Sequence, residues 1–215
     1  MDRSDKKIER DAPDAVGKDL TGSAMRILGI DPGSTVTGFG VVEHQRGGLL
    51  HIAHGVLRAP RQALLPERLA FLYTALRRVL DSHKPDRAVV ERVFVALSPA
   101  AALVLGQARG VALAALAAEG IPIEEWAATT IKQAVTGNGA ATKGQVQSMV
   151  TRLLGLEAEP PRDAADALAA AIGCAHVGEF PALVGRSAGV GRRAAELAAR
   201  TRRRRPARFV LRRGP

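Results

Sequence analysis

Two short apolar segments of the chain each end in a carboxylate. Residues 27–30 precede Asp31, and residues 87–90 precede Glu91. Runs of this kind, with β-branched members, are typical of buried central strands. A carboxylate at the end of such a strand is costly unless it is paired or binds a cation. Because Pro32-Gly33-Ser34 follows Asp31, its oxygens could instead cap a turn, and this stretch alone leaves both alternatives open.

Asp163 and Asp166 form a second acidic pair, at the start of a helix predicted over residues 163–176. Side chains at this spacing lie on one face of a helix, so the two carboxylates project together. Acids are also favourable at helix N-termini for structural reasons alone, and Asp163 could simply be the N-cap. The two strand-end acids and the two helix-start acids could stand at the same sheet edge.

A site of four carboxylates is stable only with compensating cations, because like charges repel. All-oxygen ligands select hard ions, which predicts Mg²⁺, with Mn²⁺ as a substitute. Two ions per subunit would match the four carboxylates in charge. Ions about 3.5–4 Å apart can clamp the attacking water and the leaving 3′ oxygen of a phosphodiester.

Lys132 and Lys143 are candidate cations for holding that phosphate. Lys143 lies in the first turn of a helix predicted over residues 142–154, with Thr142 and Gln145 as its capping box. A cation in a first helical turn is unfavourable unless an anion is bound nearby.

Hydrophobic periodicity predicts an α/β chain whose strands can bring these residues together. Strands that run in parallel bind ligands at their carboxyl edge, which is where Asp31 and Glu91 are placed. The predicted strands are a hairpin over residues 26–43 and segments 49–58, 87–91 and 121–127. The predicted helices cover residues 66–83, 98–119, 129–135, 142–154 and 163–176.

The helix predicted over residues 98–119 is apolar on nearly all sides. Ser98 suits its N-cap and Gly120 its C′ position. A helix of this kind must be covered on both sides. One side can face the sheet, and the other faces either a partner subunit or the rest of the same monomer.

Other potential metal ligands are assigned structural roles. His51 and His54 lie in the third strand, where a regular strand would place them on opposite faces, a poor arrangement for a metal pair. Cys174 lies in an Ala-rich segment and is predicted to be a small buried residue, and Trp126 is predicted to be in the core.

The 215 residues carry a net charge of +10, which is unevenly distributed. Residues 176–215 carry 11 basic and 2 acidic side chains, whereas residues 1–24 carry 5 basic and 6 acidic ones. We predict that residues 1–24 and 178–215 are disordered extensions and that residues 25–177 form the folded domain. Met25 is a candidate natural start. The Arg-rich tail predicts attraction to polyanions, nucleic acid first.

A single cysteine, no apolar signal segment and no uninterrupted apolar span predict a cytoplasmic protein outside the membrane.

Five blocks of the sequence together resemble the RuvC crossover junction endonuclease family. The blocks are GIDPGSTVTGFGVVE, VVERVF, GQARGVA, IKQAVTGNGAATKGQVQ and DAADALAAAI, and the resemblance covers roughly residues 25–177. It implies a ribonuclease H-like fold, a mixed five-stranded sheet flanked by helices. It also implies a homodimer that resolves four-way Holliday junctions in DNA recombination and repair. Two opposed strands would be nicked in a Mg²⁺-dependent reaction that leaves 5′-phosphates.

The resemblance also implies roles for individual residues. Asp31, Glu91, Asp163 and Asp166 match the family's metal-binding catalytic acids. Lys132 and Lys143 match its DNA-contacting lysines, and Phe94 matches an aromatic residue that meets junction bases, although by itself Phe94 suits the core. The helix carrying GQARG is similar to the family's dimer-forming helix. The RuvA and RuvB branch-migration proteins are implied as candidate partners.

Three other functions are alternatives to this one. ATP-handling enzymes of the actin and sugar-kinase type begin with a similar strand–Asp–x–Gly hairpin, but they need a second Gly-rich phosphate loop, which this sequence lacks. A junction-binding scaffold without chemistry gains nothing from acids beside phosphate. A ribonuclease H-like nuclease acting on RNA is disfavoured by the lysine-bearing IKQ and ATKGQVQ blocks.

Overall fold

The computed structural model describes residues 24–92 and 98–177, which form one five-stranded sheet with helices on both faces. The strands are β1 (Met25–Asp31), β2 (Val36–Gln45), β3 (Gly48–Arg58), β4 (Arg87–Arg92) and β5 (Ile123–Ala127). The helices are α1 (Leu65–His83), α2 (Pro99–Ala118), α3 (Ala128–Thr136), α4 (Lys143–Leu153) and α5 (Arg162–Val177). Phe94 and the two predicted extensions lie outside the described residues, apart from Ala24.

The sheet is mixed, in the order β3-β2-β1-β4-β5. β1, β2 and β3 form an antiparallel meander, while β4 and β5 run parallel to β1. In the β1–β4 register Ile30 is paired with Val90, so the acids that follow them lie side by side at the carboxyl edge. The predicted α/β fold with five strands and five helices is therefore confirmed.

Helix α5 packs directly on the backbone of β1 and β2. A Cβ atom at Gly29 would lie 1.8 Å from the carbonyl oxygen of Ala167, and one at Gly38 would lie 1.9 Å from that of Asp163. No side chain fits in these gaps, so the two glycines allow α5 to descend onto the sheet. Because these glycines have no side chains, the start of α5 can lie at the edge where β1 ends.

The two faces of the sheet carry separate cores. On one face, α3, α4 and α5 bury a cluster that includes Ile27, Val89, Trp126 and Cys174. On the other face, α1 and α2 bury a cluster that includes Leu28 and the interior residues of both helices. The predicted burial of Trp126 and Cys174 is confirmed, since they are 4% and 1% exposed.

Helix α2 is buried on one side only. Its start is capped by Ser98, whose Oγ accepts a hydrogen bond from the Ala101 amide, and Gly120 beyond its end has a φ of +72°. Its buried residues are Ala108, Ala112, Ala115 and Leu116. Because Leu103 is 71% exposed, burial of α2 within the described part of the monomer is ruled out.

By length and composition alone, α2 is also apolar enough to cross a membrane. Core helices of soluble proteins meet the same criterion. Here Arg109, in the middle of α2, forms an ion pair with Glu125 of β5, which ties the helix to the sheet.

The prediction that His51 and His54 lie on opposite faces of their strand is wrong. The β2–β3 register shifts between Val41 and Val42, which pair with Ala53 and His51, so Ile52 is an extra residue in β3. A β-bulge of this kind reverses the alternation of side chains. Both imidazoles consequently point to the same face, with His51 Nε2 and His54 Nδ1 2.8 Å apart.

Candidate active site

A tight turn fixes Asp31 at the end of β1. Thr37, which is fully buried, donates a hydrogen bond from Oγ1 to the carbonyl oxygen of Gly33 at 2.7 Å and accepts one from its amide at 3.1 Å. A Cβ atom at Gly33 would lie 2.2 Å from the carbonyl oxygen of Val36. The DPGSTVT segment therefore forms a closed loop whose first residue, Asp31, is half-buried at the sheet edge.

Three of the four predicted acids line one cavity. It has a volume of about 170 Å³ and lies where β1 and β4 end, between α3, α4 and α5. Its charged lining residues are Asp31, Glu91, Asp166, Lys132 and Lys143. Its apolar walls are Ala128, Ile131, Val146 and Ala169. Acids from two strands and one helix, far apart in the sequence, thus converge with both predicted lysines.

Asp163 lies beside this cavity without lining it. It belongs to the first turn of α5, which begins at Arg162, so the alternative that Asp163 is the N-cap is wrong. Its carbonyl oxygen faces Gly38 of β2, and its charge contributes to raising the pKa of Asp31.

The acids repel one another. Burial, followed by the charges of Glu91, Asp166 and Asp163, raises the pKa of Asp31 from 3.8 to about 7, against an opposing effect of Lys143. Burial and Asp166 likewise raise the pKa of Glu91, while Lys143 and Lys132 lower it. Carboxylates in this state gain stability from any cation that enters among them.

Lys143 is the cation nearest to the acids. Its Nζ lies 3.3 Å from Asp166 Oδ2, and its side chain is 71% exposed. The charge of Asp166 is the main cause of its raised pKa, so the ammonium is firmly protonated. Thr142 and Gln145 form the predicted capping box, which orients the first turn of α4 and with it Lys143.

The carboxylate oxygens of this site are of the type that binds divalent metal ions. Carboxylate oxygens are the preferred ligands of Mg²⁺ and Mn²⁺, and mutual repulsion among half-buried carboxylates is the electrostatic environment that such ions relieve. Within residues 24–92 and 98–177, no three His, Cys, Asp or Glu side chains are yet close enough to form a complete metal site. In this structure Lys143 supplies the positive charge beside Asp166.

The supporting residues were not found by sequence reasoning. Thr37 is the one fully buried polar side chain in the described part of the chain and closes the turn after Asp31. Its signal is its position four residues after Gly33, within hydrogen-bond reach of a tight turn.

The chain matches known proteins over the whole described fold. A family model described as crossover junction endodeoxyribonuclease RuvC matches residues 27–175. The chain belongs to the RuvC family. RuvC of Burkholderia ambifaria (strain MC40-6) is 46% identical over 179 residues, which are 83% of this chain and 97% of that protein. RuvC of Burkholderia vietnamiensis is 51% identical over 154 residues, 72% of this chain and 85% of that protein.

A solved RuvC structure shares this fold. Thermus thermophilus RuvC, solved in complex with a Holliday junction substrate, superposes with a TM-score of 0.67 at 33% identity and covers 72% of this chain and 94% of that chain. The resemblance inferred from the sequence blocks is therefore confirmed, as is the α/β fold that it implied. As a RuvC family member, the chain is a crossover junction endodeoxyribonuclease.

Proposed function

We propose that this RuvC endonuclease resolves four-way DNA junctions by two symmetric, divalent-metal-dependent nicks that leave 5′-phosphate ends. The observation that supports this most strongly is the cavity in which Asp31, Glu91 and Asp166 meet Lys132 and Lys143. A site for phosphodiester hydrolysis needs carboxylates for metal ions and cations for phosphate side by side, and this cavity has both.

Asp31, Glu91, Asp163 and Asp166 would hold two Mg²⁺ ions, with Mn²⁺ as a substitute. When bound, such ions supply a polarised water and charge stabilisation at the leaving oxygen. The raised pKa of Asp31 means that bound cations would also restore its charged form near neutral pH. Asp163 would join the ligands from the first turn of α5, beside the cavity.

The lysines would act on the phosphate. Lys143 would exchange Asp166 for a phosphate oxygen, since its exposed side chain makes one ion pair, at 3.3 Å. Its raised pKa keeps the ammonium protonated for that role. Lys132 approaches the same cavity from α3. Phe94 would contact junction bases from the segment that follows Glu91.

The proposed reaction is tested with a labelled synthetic four-way junction and a linear duplex of the same sequence. We expect symmetric nicks in the junction with Mg²⁺ and none with EDTA, and the linear duplex should stay intact. Nicking in EDTA would reject the metal requirement, and equal nicking of the duplex would reject junction selectivity.

We further propose that a homodimer forms through α2. A two-fold dimer suits a junction with two equivalent strands to cut. Gly106, Gly110 and Ala114 follow Leu103 along one side of the helix, and the space beside both glycines is open. Small residues at this spacing let two helices approach closely. Leu103, 71% exposed, flanks the stripe.

Leu103→Glu should shift the protein from dimer to monomer in sedimentation velocity, because it places two carboxylates at the two-fold contact. Glu157→Gln, on the exposed loop after α4, should leave the dimer intact. A dimer that survives Leu103→Glu would place the interface elsewhere.

One extension of this proposal concerns the basic C-terminal residues. The net +9 of residues 176–215 would add non-specific DNA affinity, and deletion of residues 186–215 should flatten the salt dependence of junction binding. An unchanged slope would reject this role.

In the cytoplasm, RuvA and RuvB would be the branch-migration partners. Co-sedimentation with RuvA–junction or RuvB–junction complexes tests this, and failure of the chain to enter either complex would reject that partner.

A further inference from the structure

A second group of cations lies on the other side of the acids from the lysines. Arg58 ends β3, Arg61 lies in the turn between β3 and α1, and Arg68 lies in the first turns of α1. The segment that carries them contacts the turn that follows Asp31. The Ala59 amide donates to the carbonyl oxygen of Thr35 at 3.0 Å, and Arg68 Nη1 donates to Thr35 Oγ1 at 2.9 Å.

Arg58 faces the same side of the sheet as the start of α5. A Cβ atom on Gly38 of β2 would point at Asp163, because it would lie 1.9 Å from that residue's carbonyl oxygen. Val36 lies two residues earlier in β2 and therefore faces the same side. Arg58 is the cross-strand partner of Val36, and cross-strand partners share a face.

These arginines lack carboxylate partners in the described part of the chain, unlike several others. Arg26, Arg77, Arg87 and Arg109 each form an ion pair with a glutamate. The acid closest to the group in sequence, Glu67, accepts a hydrogen bond from the Leu64 amide instead. Arg58 and Arg61 are exposed. Three neighbouring cations repel one another, and a polyanion laid across them would relieve that repulsion.

We propose that Arg58, Arg61 and Arg68 form a second phosphate-binding surface, which holds the backbone of the scissile DNA strand on the β3 side of the acids. Lys132 and Lys143 hold it on the side of α3 and α4, so the strand crosses the sheet edge between the two groups of cations. β3 is two strand spacings from β1, about 10 Å. That distance corresponds to the rise of about three nucleotides along the axis of B-DNA.

This inference rests on the proposed function and is tested in the full chain by removing two exposed charges. Arg58→Gln with Arg61→Gln is compared with Arg78→Gln with Lys84→Asn. The control pair removes the same charge from exposed positions near the other end of α1 and at its C-cap, where the left-handed φ of Lys84 suits Asn. Junction affinity is measured against salt concentration in EDTA, so that no strand is cut.

The Arg58→Gln, Arg61→Gln variant should flatten the slope of log K against log salt by about 1.8, or about 0.9 for each lost phosphate contact. The control pair should leave the slope unchanged. Equal slopes for the two double variants would overturn the inference. Junction nicking by the unchanged protein in Mg²⁺ is recorded in parallel, so that a failure of this surface is distinguished from a failure of the proposed function.

Discussion

α5 and α2 are both rich in alanine, yet α5 is almost fully buried and α2 is buried on one side only. From Ala164 to Ala175 nearly every residue of α5 is buried, because the sheet lies on one side of it and α3 and α4 on the other. α2 has four buried residues and contacts α1 and two strands. Similar composition therefore leads to a core helix in one case and to an open surface in the other.

The difference follows from what each helix positions. α5 must lie close to β1 and β2, because its first turn brings Asp163 and Asp166 to the edge where Asp31 lies. α2 carries none of the acids and can keep one side free for a second subunit. The glycines show the same contrast. Helix backbone fills the space beside Gly29 and Gly38 under α5, whereas the space beside Gly106 and Gly110 on α2 is open.

The strongest test of this contrast adds one methyl group to a glycine beneath α5. Gly29→Ala should lower the free energy of unfolding by about 3 kcal/mol, because the new Cβ would meet the Ala167 carbonyl oxygen at 1.8 Å. Urea unfolding followed by circular dichroism measures the change. A loss below about 1 kcal/mol would mean that α5 shifts easily and is not fixed by backbone contact.

A second test concerns the acids that α5 brings to the site. In EDTA, Asp31→Asn should stabilise the protein at pH 8 by on the order of 2 kcal/mol, because it removes a charge that burial and three neighbouring acids disfavour. Thermal unfolding measures the change. Destabilisation by Asp31→Asn at pH 8 would contradict the crowding of carboxylates.

The same carboxyl predicts a pH dependence. Native Asp31 keeps its proton up to about pH 7, whereas its ordinary pKa is 3.8. Between these values the native state binds more protons than the unfolded state, so the contribution of Asp31 to stability falls as the pH rises from about 4 to about 7. This part of the fall in unfolding free energy with rising pH should be absent in Asp31→Asn.

A smaller effect is expected from the matching change on the open helix. Gly110→Ala should raise the free energy of unfolding by about 0.5–1 kcal/mol, since alanine favours a helix interior and nothing lies within 4 Å of the added atom. The comparison is made in the Leu103→Glu background, which should remove association. Destabilisation there would show that the Gly110 face is covered within the monomer.

The smallest effect concerns the start of α2. Ser98→Ala should cost about 0.5 kcal/mol, because the Ser98 Oγ accepts a long hydrogen bond of 3.4 Å from Ala101. Ser98→Asp, which keeps a capping acceptor, should restore the stability. If Ser98→Ala and Ser98→Asp unfold at the same urea concentration, the cap does not stabilise α2.

Local sequence signals predicted the elements well because their chemistry is local. The Ser98 cap, the Thr142–Gln145 capping box and Gly120 at the end of α2 all depend on residues within one turn of one another. The strand-end position of Asp31 and Glu91 likewise follows from short apolar runs. These features could be read from the chain without tertiary information.

Features that depend on pairing between distant segments could not be predicted. The bulge at Ile52 arises in the register of β3 against β2, and it turned two histidines from opposite faces to the same face. The pKa of Asp31 depends on burial and on acids up to 135 residues away in the chain. From the sequence, convergence of the acids was only a hypothesis. The fold was needed to show that three of them line one cavity.

The most direct test of the site is the single-turnover nicking rate of a four-way junction in Mg²⁺ for Asp31→Asn and Asp166→Asn, with Glu157→Gln as an exposed acidic control. We predict a loss of at least about 100-fold for each site variant, with junction binding retained and the control unchanged. Site variants that nick within about ten-fold of the unchanged protein would contradict a catalytic role for the acids that α5, β1 and β4 bring together.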